Sequence, residues 1–285
     1  MISIWYKIFS PLVRYLPQKL SIYILYFRRF KKLPNIKEPK SFNEKIQRRK
    51  LFDRNKLLII AADKLESKEY IRNKALDIYI PKVLWQGTNI DSLNISKLPK
   101  DYVFKANHAS RTNLFIQNSN HYGKKFLKDI TKKWFNHDQS KVLGEWAYKD
   151  IIRKVFVEEF LYFEESVPDD YKFFVYNGKV KFIQLDTGRF DIHKRNMFNE
   201  KWEDLNIDYS YKRDIPSPSK PIFIDKMIEI AEEIGKEFDF VRVDLYFYNE
   251  RITFGELTIY PGAGYEKFPT QEIDIKFGKY WEQNY

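Results

Sequence analysis

Two short runs near the end of the sequence carry the side chains best suited to chemistry. Residues 240–248 alternate, so Arg242 and Asp244 fall on one face while Val241, Val243 and Leu245 fall on the other. After Asn249-Glu250 the chain resumes, with Glu256 and Thr258 on one face and Leu257 and Ile259 on its opposite. Paired as a hairpin, these strands would set two carboxylates side by side, and these repel unless a cation lies between them. Mg2+ suits such oxygens, because it usually takes one or two carboxylates and completes its shell with water or substrate phosphates. Arg242, two residues from Asp244, would bring a planar fork to phosphate oxygens. The plainer alternative is a solvated sheet face on which Arg242 pairs with Glu256.

Two neighbours strengthen the first alternative. The Glu256 strand runs into Tyr260-Pro261-Gly262-Ala263-Gly264, where Gly262 and Gly264 allow backbone conformations that bring the chain close to a ligand. Upstream, Lys105 ends an apolar run and is followed by Ala106-Asn107-His108-Ala109-Ser110-Arg111-Thr112-Asn113, a loop rich in donors for phosphate oxygens. His108, His121, His137 and His193 are scattered and lack the spacing of metal ligands. His193 differs in that Lys194, Arg195 and Asn196 follow it, a basic cluster suited to an acidic acceptor or a terminal phosphate. No Gly-x-x-x-x-Gly-Lys phosphate loop and no Gly-x-Ser-x-Gly elbow is present.

The elements that must position these groups can be read from caps and periods. Ser41-Phe42-Asn43-Glu44 is a capping box for a helix to about residue 51, and Asp63 caps another to about 75. Residues 82–85, 102–105, 114–117 and 155–161 read as short strands, 87–100 as loop and 123–136 as helix. Residues 171–176 and 179–185 flank Asn177-Gly178, a strong hairpin signal. Met227, Ile230, Ala231, Ile234 and Phe238 follow the helical period behind Asp225, read as the cap. The sum is an α+β chain in which antiparallel hairpins dominate the last two thirds.

In order along the chain, the stretches 41–47, 62–64, 104–108, 158–161, 170–173, 193–196, 240–246 and 255–264 resemble the TupA-like ATP-grasp family of polysaccharide and teichuronopeptide biosynthesis. The last hairpin is also similar, more distantly, to that of D-alanine–D-alanine ligase. The resemblance implies a two-lobed ATP-grasp fold holding ATP and Mg2+ between its lobes. Residues 1–40 would be a basic aromatic arm, 41–100 a leading helical and αβ segment, 101–160 the small nucleotide-binding lobe and 161–285 the larger lobe with the metal hairpin.

The resemblance also implies roles. Lys105 would hold phosphates beneath a loop containing Ser110 and Arg111; Glu158, Glu159 and Leu161 would meet adenine and ribose; Lys172 would be a further nucleotide contact. Asp244, Glu256 and Thr258 would hold Mg2+, with Thr258 standing where many relatives have Asn. Arg242, Lys105 and Arg195 would act in catalysis. The segment Ala109-Ser110-Arg111-Thr112 departs from the family, which usually has glycines there. The implied reaction is carboxylate–amine ligation through an acyl phosphate, on a uronic-acid or other carbohydrate acceptor that could be lipid-linked. A kinase-like phosphotransferase, another sugar-transfer enzyme and a non-catalytic nucleotide-binding protein remain the alternatives.

The whole chain limits these choices. It has no cysteine, which excludes disulfide scaffolds, thiolate zinc sites and cysteine nucleophiles. Its net charge is +11, and residues 1–37 contain no acid, with Trp5, Tyr6, Phe9, Tyr23, Tyr26 and Phe27 set among lysines and arginines. Such an arm could lie on an anionic membrane surface, or simply pack on the body with a basic face in water. Nucleic acid is not an expected partner, for no recognition module accompanies the charge. The N-terminus lacks the apolar core of a signal peptide, so the expected location is cytoplasmic, with peripheral contact at the inner membrane face through residues 1–37.

Overall fold

Asn177 and Gly178 both take positive φ, 47° and 72°, so the turn between them closes as a tight two-residue hairpin. This and the rest of the chain are taken from a computed structural model that describes residues 13, 15–110, 112–117, 122–161, 168–188 and 192–285. The hairpin joins β5 (Asp170–Tyr176) to β6 (Lys179–Thr187). Asn249 and Glu250, at φ 48° and 57°, make a second such turn between β8 (Phe240–Tyr248) and β9 (Arg251–Thr258). With β7 (Lys194–Asn199) these strands form an antiparallel sheet ordered β7-β6-β5-β8-β9. Of the charge cluster read from sequence at 193–196, Lys194, Arg195 and Asn196 enter this sheet in its edge strand and His193 lies just before it.

One face of the sheet is apolar except toward the β7 edge, where Asn196 stands opposite Leu185. Helix α7 (Ile224–Gly235) lays Ile224, Met227, Ile230, Ala231 and Ile234 against it, over Phe173, Val175, Val241, Val243 and Leu245. The helix is capped by Phe223; Asp225 sits inside the first turn and pairs with Lys220, so it is not the cap expected. A charged residue at Asp225 does favour that end through the helix dipole, but its side chain is spent on the lysine.

The opposite face is divided. At one end Phe174, Tyr176, Phe182 and Phe240 are covered by α2 (Phe42–Phe52) and α8 (Gln271–Lys279), with Phe42 and Phe277 inserted between the rings. The Ser41–Glu44 capping box forms as expected and fixes the start of α2. Truncating Phe42 to alanine would cost about 3–5 kcal/mol, since it is fully buried among aromatic neighbours. At the other end the same face carries Lys172, Asp186, Asp244 and Glu256.

A second, smaller sheet is ordered β1-β4-β2-β3, from β1 (Val83–Gly87), β2 (Tyr102–Ala106), β3 (Asn113–Ile116) and β4 (Val155–Glu159). β1 comes from the segment before residue 100 yet is an edge strand here. Tyr102, Phe104, Val155 and Val157 form its core with α5 (Lys124–Phe135). Val103, Lys105, Phe156 and Glu158, at the alternate positions, point the other way. Two short helices, α3 (Leu57–Ala62) and α4 (Lys64–Asn73), join the two sheets, and α6 (Gln139–Leu143) returns from the smaller one. Helix α1 (Gln18–Phe30) lies outside both.

Candidate active site

The polar end of the larger sheet is aligned by strand register. Lys172 on the central strand stands opposite Gln184 on one side and Asp244 on the other, and Asp244 stands opposite Glu256. The β8–β9 pairing shifts register just past Asp244, with Gly255 as the extra residue. A Cβ at Gly255 would fall 2.8 Å from both the Asp244 carbonyl oxygen and the Tyr246 ring, so only glycine fits.

Arg242 does not pair chiefly with Glu256. Its Nε and Nη2 donate to the two oxygens of Asp244, on its own strand, at 2.7 Å each. Nη2 also donates to Thr258 Oγ1 at 3.1 Å, while the Glu256 carboxylate lies 3.8 Å away and is half exposed. Burial opposes the Arg242 charge, but Asp244 and Glu256 outweigh it and hold the guanidinium above its ordinary value. Burial also pushes the Asp244 carboxyl up to about 6, with Glu256 adding to the rise, against Arg242 and Lys172.

Asp186 gathers the next group. Its carboxylate accepts from Arg195 Nε at 2.5 Å and Nη2 at 3.1 Å, and from Gln184 Nε2 at 2.9 Å. Lys172 Nζ lies 2.9 Å from it, and Lys172 also pairs with Asp170. Burial would raise the Asp186 carboxyl, but Lys172 and Arg195 hold it far below the usual carboxylate range. The Arg195 guanidinium lies 4.8 Å from the Tyr211 ring centre and 5.5 Å from that of Tyr209, and the His193 ring sits 3.7 Å from Tyr211.

Facing this row is a lysine-rich wall drawn from α4 and the smaller sheet. Glu158 is buried between Lys105, with which it pairs, and Lys68, whose Nζ is 2.8 Å away. Burial works against that carboxylate, yet the two lysines bring it down to about 2. Lys64 donates to the Ala109 carbonyl, and Asp63 caps α4 while accepting from Asn107 Nδ2 at 2.8 Å. The N-terminus of α4 is thus fastened to the end of β2. Glu256 feels both walls: burial would raise it, but Lys64, Arg242, Lys172 and Lys105 together hold it below its ordinary value.

Of the residues expected from sequence, Arg242, Asp244, Glu256, Thr258 and Lys172 are brought together, and Arg195 joins them through Asp186. Lys105 and Glu158 meet on the facing wall. Glu159 turns away, where it accepts from Lys82 N at 2.7 Å and from the Tyr79 hydroxyl. Ser110 is exposed and Leu161 half buried, while Arg111, His121 and residues 1–12 lie outside the described residues. Lys64 and Lys68 were missed as site residues. Their signal was present, since i and i+4 behind the Asp63 cap place both on one helix face.

The loop after β9 is held from the far side. Gly262 and Gly264 take φ 52° and 66°, as does Ala263 at 54°. Gln47 Nε2 donates to the Gly264 carbonyl at 2.9 Å, and the buried Lys50 Nζ to Ala263 O at 2.7 Å and Leu143 O at 2.9 Å. Among the described residues no group of three or more acidic or histidine side chains is placed to hold a metal alone.

Two antiparallel sheets, with a carboxylate hairpin on one and lysines on the wall facing it, define an ATP-grasp protein. The chain belongs to the TupA-like ATP-grasp family, whose model matches residues 44–282. Solved structures similar to it include D-alanine–D-alanine ligase from Bacillus anthracis complexed with ATP, at 16% identity over 70% of this chain and 53% of that one, with a TM-score of 0.42. VanG D-Ala:D-Ser ligase from Enterococcus faecalis is similar at 16% identity over 78% of this chain and 61% of that one, TM-score 0.47. N5-carboxyaminoimidazole synthase from Aspergillus clavatus, in complex with ADP and its ribonucleotide, matches at 14% identity over 76% and 46%, TM-score 0.40. The chain spans about half the length of these proteins. No curated protein matches it.

Proposed function

We propose that the chain is an ATP-dependent carboxylate–amine ligase acting on a carbohydrate acceptor in capsule or cell-wall polysaccharide synthesis. The observation that carries this reading is the strand register that sets Asp244 beside both Lys172 and Glu256 with the Arg242 fork closed on Asp244, while the charges of Lys64 and Lys105 reach Glu256 from the facing wall. Cations arranged around a carboxylate pair suit a polyphosphate with its metal: the lysines and Arg242 offer donors to phosphate oxygens, and Asp244 and Glu256 offer oxygens to a hard cation. Bound Mg2+ would shield the phosphate charge and polarise the terminal phosphoryl group.

The chain's own groups supply positioning and charge. Lys105 and Lys64 hold the phosphates from the smaller-sheet side, and Thr258 fixes the Arg242 fork at the sheet surface. Arg242 stabilises charge on the transferred group, which is where most of the acceleration of phosphoryl transfer arises. The acceptor carboxylate approaches from the β7 side, where Arg195 and Lys172 offer cations beside the partly exposed Tyr211. Its oxygen attacks the terminal phosphorus and ADP leaves. The amine then attacks the acyl carbon, inorganic phosphate departs, and the amine's proton passes to solvent. A cytoplasmic enzyme of this kind, held near the membrane by residues 1–37, would meet a lipid-linked acceptor.

The test follows ADP and free phosphate separately while uronic acids and amino acids are supplied singly and in pairs with Mg-ATP. Both products appearing only when a carboxylate and an amine are present together is the expected result. ADP without free phosphate would replace the ligase by a kinase, and no rise in melting temperature with Mg-ATP would remove nucleotide binding altogether.

A further inference from the structure

Helix α1 is buried along one side and apolar along the other. Ser21, Ile22 and Tyr26 face the body, while Leu20 and Phe27, two turns apart, share the outward face and are about half exposed. Leu16 and Leu33, just beyond either end, are exposed as well. Large apolar side chains so placed are ordinarily covered. The flanks of this stripe are basic: Lys19, Arg28, Arg29, Lys31 and Lys32 lie within or just after the helix, with no acid among residues 1–37.

A second feature lies where α1 meets the body. A cavity of about 470 Å3 opens there, floored by Leu25 and Tyr265 and rimmed by Arg28, Arg29, Lys31 and Lys267. Among the described residues that line it, none is acidic. Arg29 Nε donates to the Tyr265 carbonyl at 2.7 Å, which ties the helix to the segment following the Gly262–Gly264 turn. An apolar stripe beside a cationic, apolar-floored cavity matches a lipid: acyl chains against the stripe and a phosphate among the cations.

We infer that α1 docks on an anionic phospholipid surface, with Leu20 and Phe27 entering the acyl boundary and a lipid phosphate seated between Arg28, Lys31 and Lys267. The occupant is a membrane lipid rather than a soluble anion, because the cations border the outward apolar stripe that a free phosphate would leave uncovered. No helix among the described residues is long and apolar enough to cross a membrane, and docking in the interface plane needs none. This holds whether or not the chain is a ligase.

Flotation of the full chain with vesicles is the test, using phosphatidylcholine alone and a phosphatidylcholine–phosphatidylglycerol mixture. The expected result is binding to the mixture only, weakened by salt and by about tenfold or more in Leu20→Ser with Phe27→Ser and in Lys31→Glu with Lys267→Glu. All four positions are exposed or at the cavity rim, so circular dichroism of each variant should match the parent. Equal binding to phosphatidylcholine, or binding that neither double variant weakens, would overturn the inference. A concentration-dependent dimer lost in the Leu20/Phe27 variant would assign the face to a second copy of the chain. Inorganic phosphate abolishing vesicle binding at constant ionic strength would assign the cavity to a soluble anion.

Discussion

Lys68 Nζ on α4 lies 2.8 Å from Glu158 Oε2 on β4 and 6.0 Å from the centre of the Phe254 ring on β9. One side chain thus touches both sheets, and it does so behind the wall that carries Lys105. Removing it should be felt in both stability and nucleotide binding. Lys68→Met would leave Glu158 buried with Lys105 as its one remaining cation, at a cost of about 3 kcal/mol, the lower end for breaking a buried pair. Urea denaturation measures the first effect. A raised KM for ATP, with kcat less affected, measures the second, because Lys105 would then be drawn more fully onto Glu158.

The acid limb of stability should be shared by Glu158 and Asp186, and Glu158 is the carboxylate whose share a single variant isolates against the lysine wall. Its folded carboxyl is brought down to about 2 from an ordinary 4.5 by Lys105 and Lys68. A depressed carboxylate stabilises the fold fully above its unfolded value, and that contribution is lost as pH falls through the folded value. The window therefore runs from about pH 5 down to about pH 2, and the amount is on the order of 3 kcal/mol. Denaturation of the parent and of Glu158→Gln at neutral and acid pH should give curves that differ most at neutrality and converge on acidification. A constant difference across that range would mean the pairs with Lys105 and Lys68 do not control it.

Much of this site is legible in the sequence, for reasons that differ by residue. Alternation placed Arg242 and Asp244 on one face, and Asn249-Glu250 set the turn that brings Glu256 back beside them. Period alone could not say which acid Arg242 would take. Its fork reaches Asp244 two residues along the same strand, because the bulge at Gly255 turns β9 and leaves Glu256 further off. The strand status of Lys194–Asn199 was hidden because its alternation is weak and its basic residues read as solvated charge; tertiary partners, Asp186 above all, make it a strand. Lys64 and Lys68 are hard to single out in sequence because a helix-borne lysine is ordinarily at the surface; docking of α4 between the sheets buries Lys68 and leaves Lys64 half-buried.

The turn after β9 should depend on a lysine that touches no substrate. Lys50 Nζ donates to the Ala263 and Leu143 carbonyls and to Gln47 Oε1, and burial lowers it to about 8 while Glu145 opposes the fall. Lys50→Met would leave the Ala263 and Leu143 carbonyls without that donor and the buried Glu145 carboxyl without its neighbouring cation, costing about 2–4 kcal/mol. The catalytic consequence is the more informative one, since the freed turn adjoins the strand bearing Glu256. Turnover should fall several-fold with the Mg2+ dependence shifted to higher concentration, read from initial rates across a magnesium series. Stability lost without any change in that dependence would confine Lys50 to the fold.

Asp244 and Glu256 should separate in stability but not in turnover. Glu256 is half exposed and 3.8 Å from its nearest cation contact, so Glu256→Gln should leave the melting temperature within a degree or two. Asp244 is buried and takes both nitrogens of the Arg242 fork, so Asp244→Asn keeps one acceptor and loses about 1–3 kcal/mol. If both acids hold the metal of a phosphoryl donor, each change should lower kcat by at least about 10²–10³, the scale of removing one preorganised electrostatic contact. Mg-ATP should also cease to raise the melting temperature of either variant as it does that of the parent. Activity surviving in Glu256→Gln would remove that carboxylate from the metal site and leave the lysine wall around it as the whole of the nucleotide's anchorage.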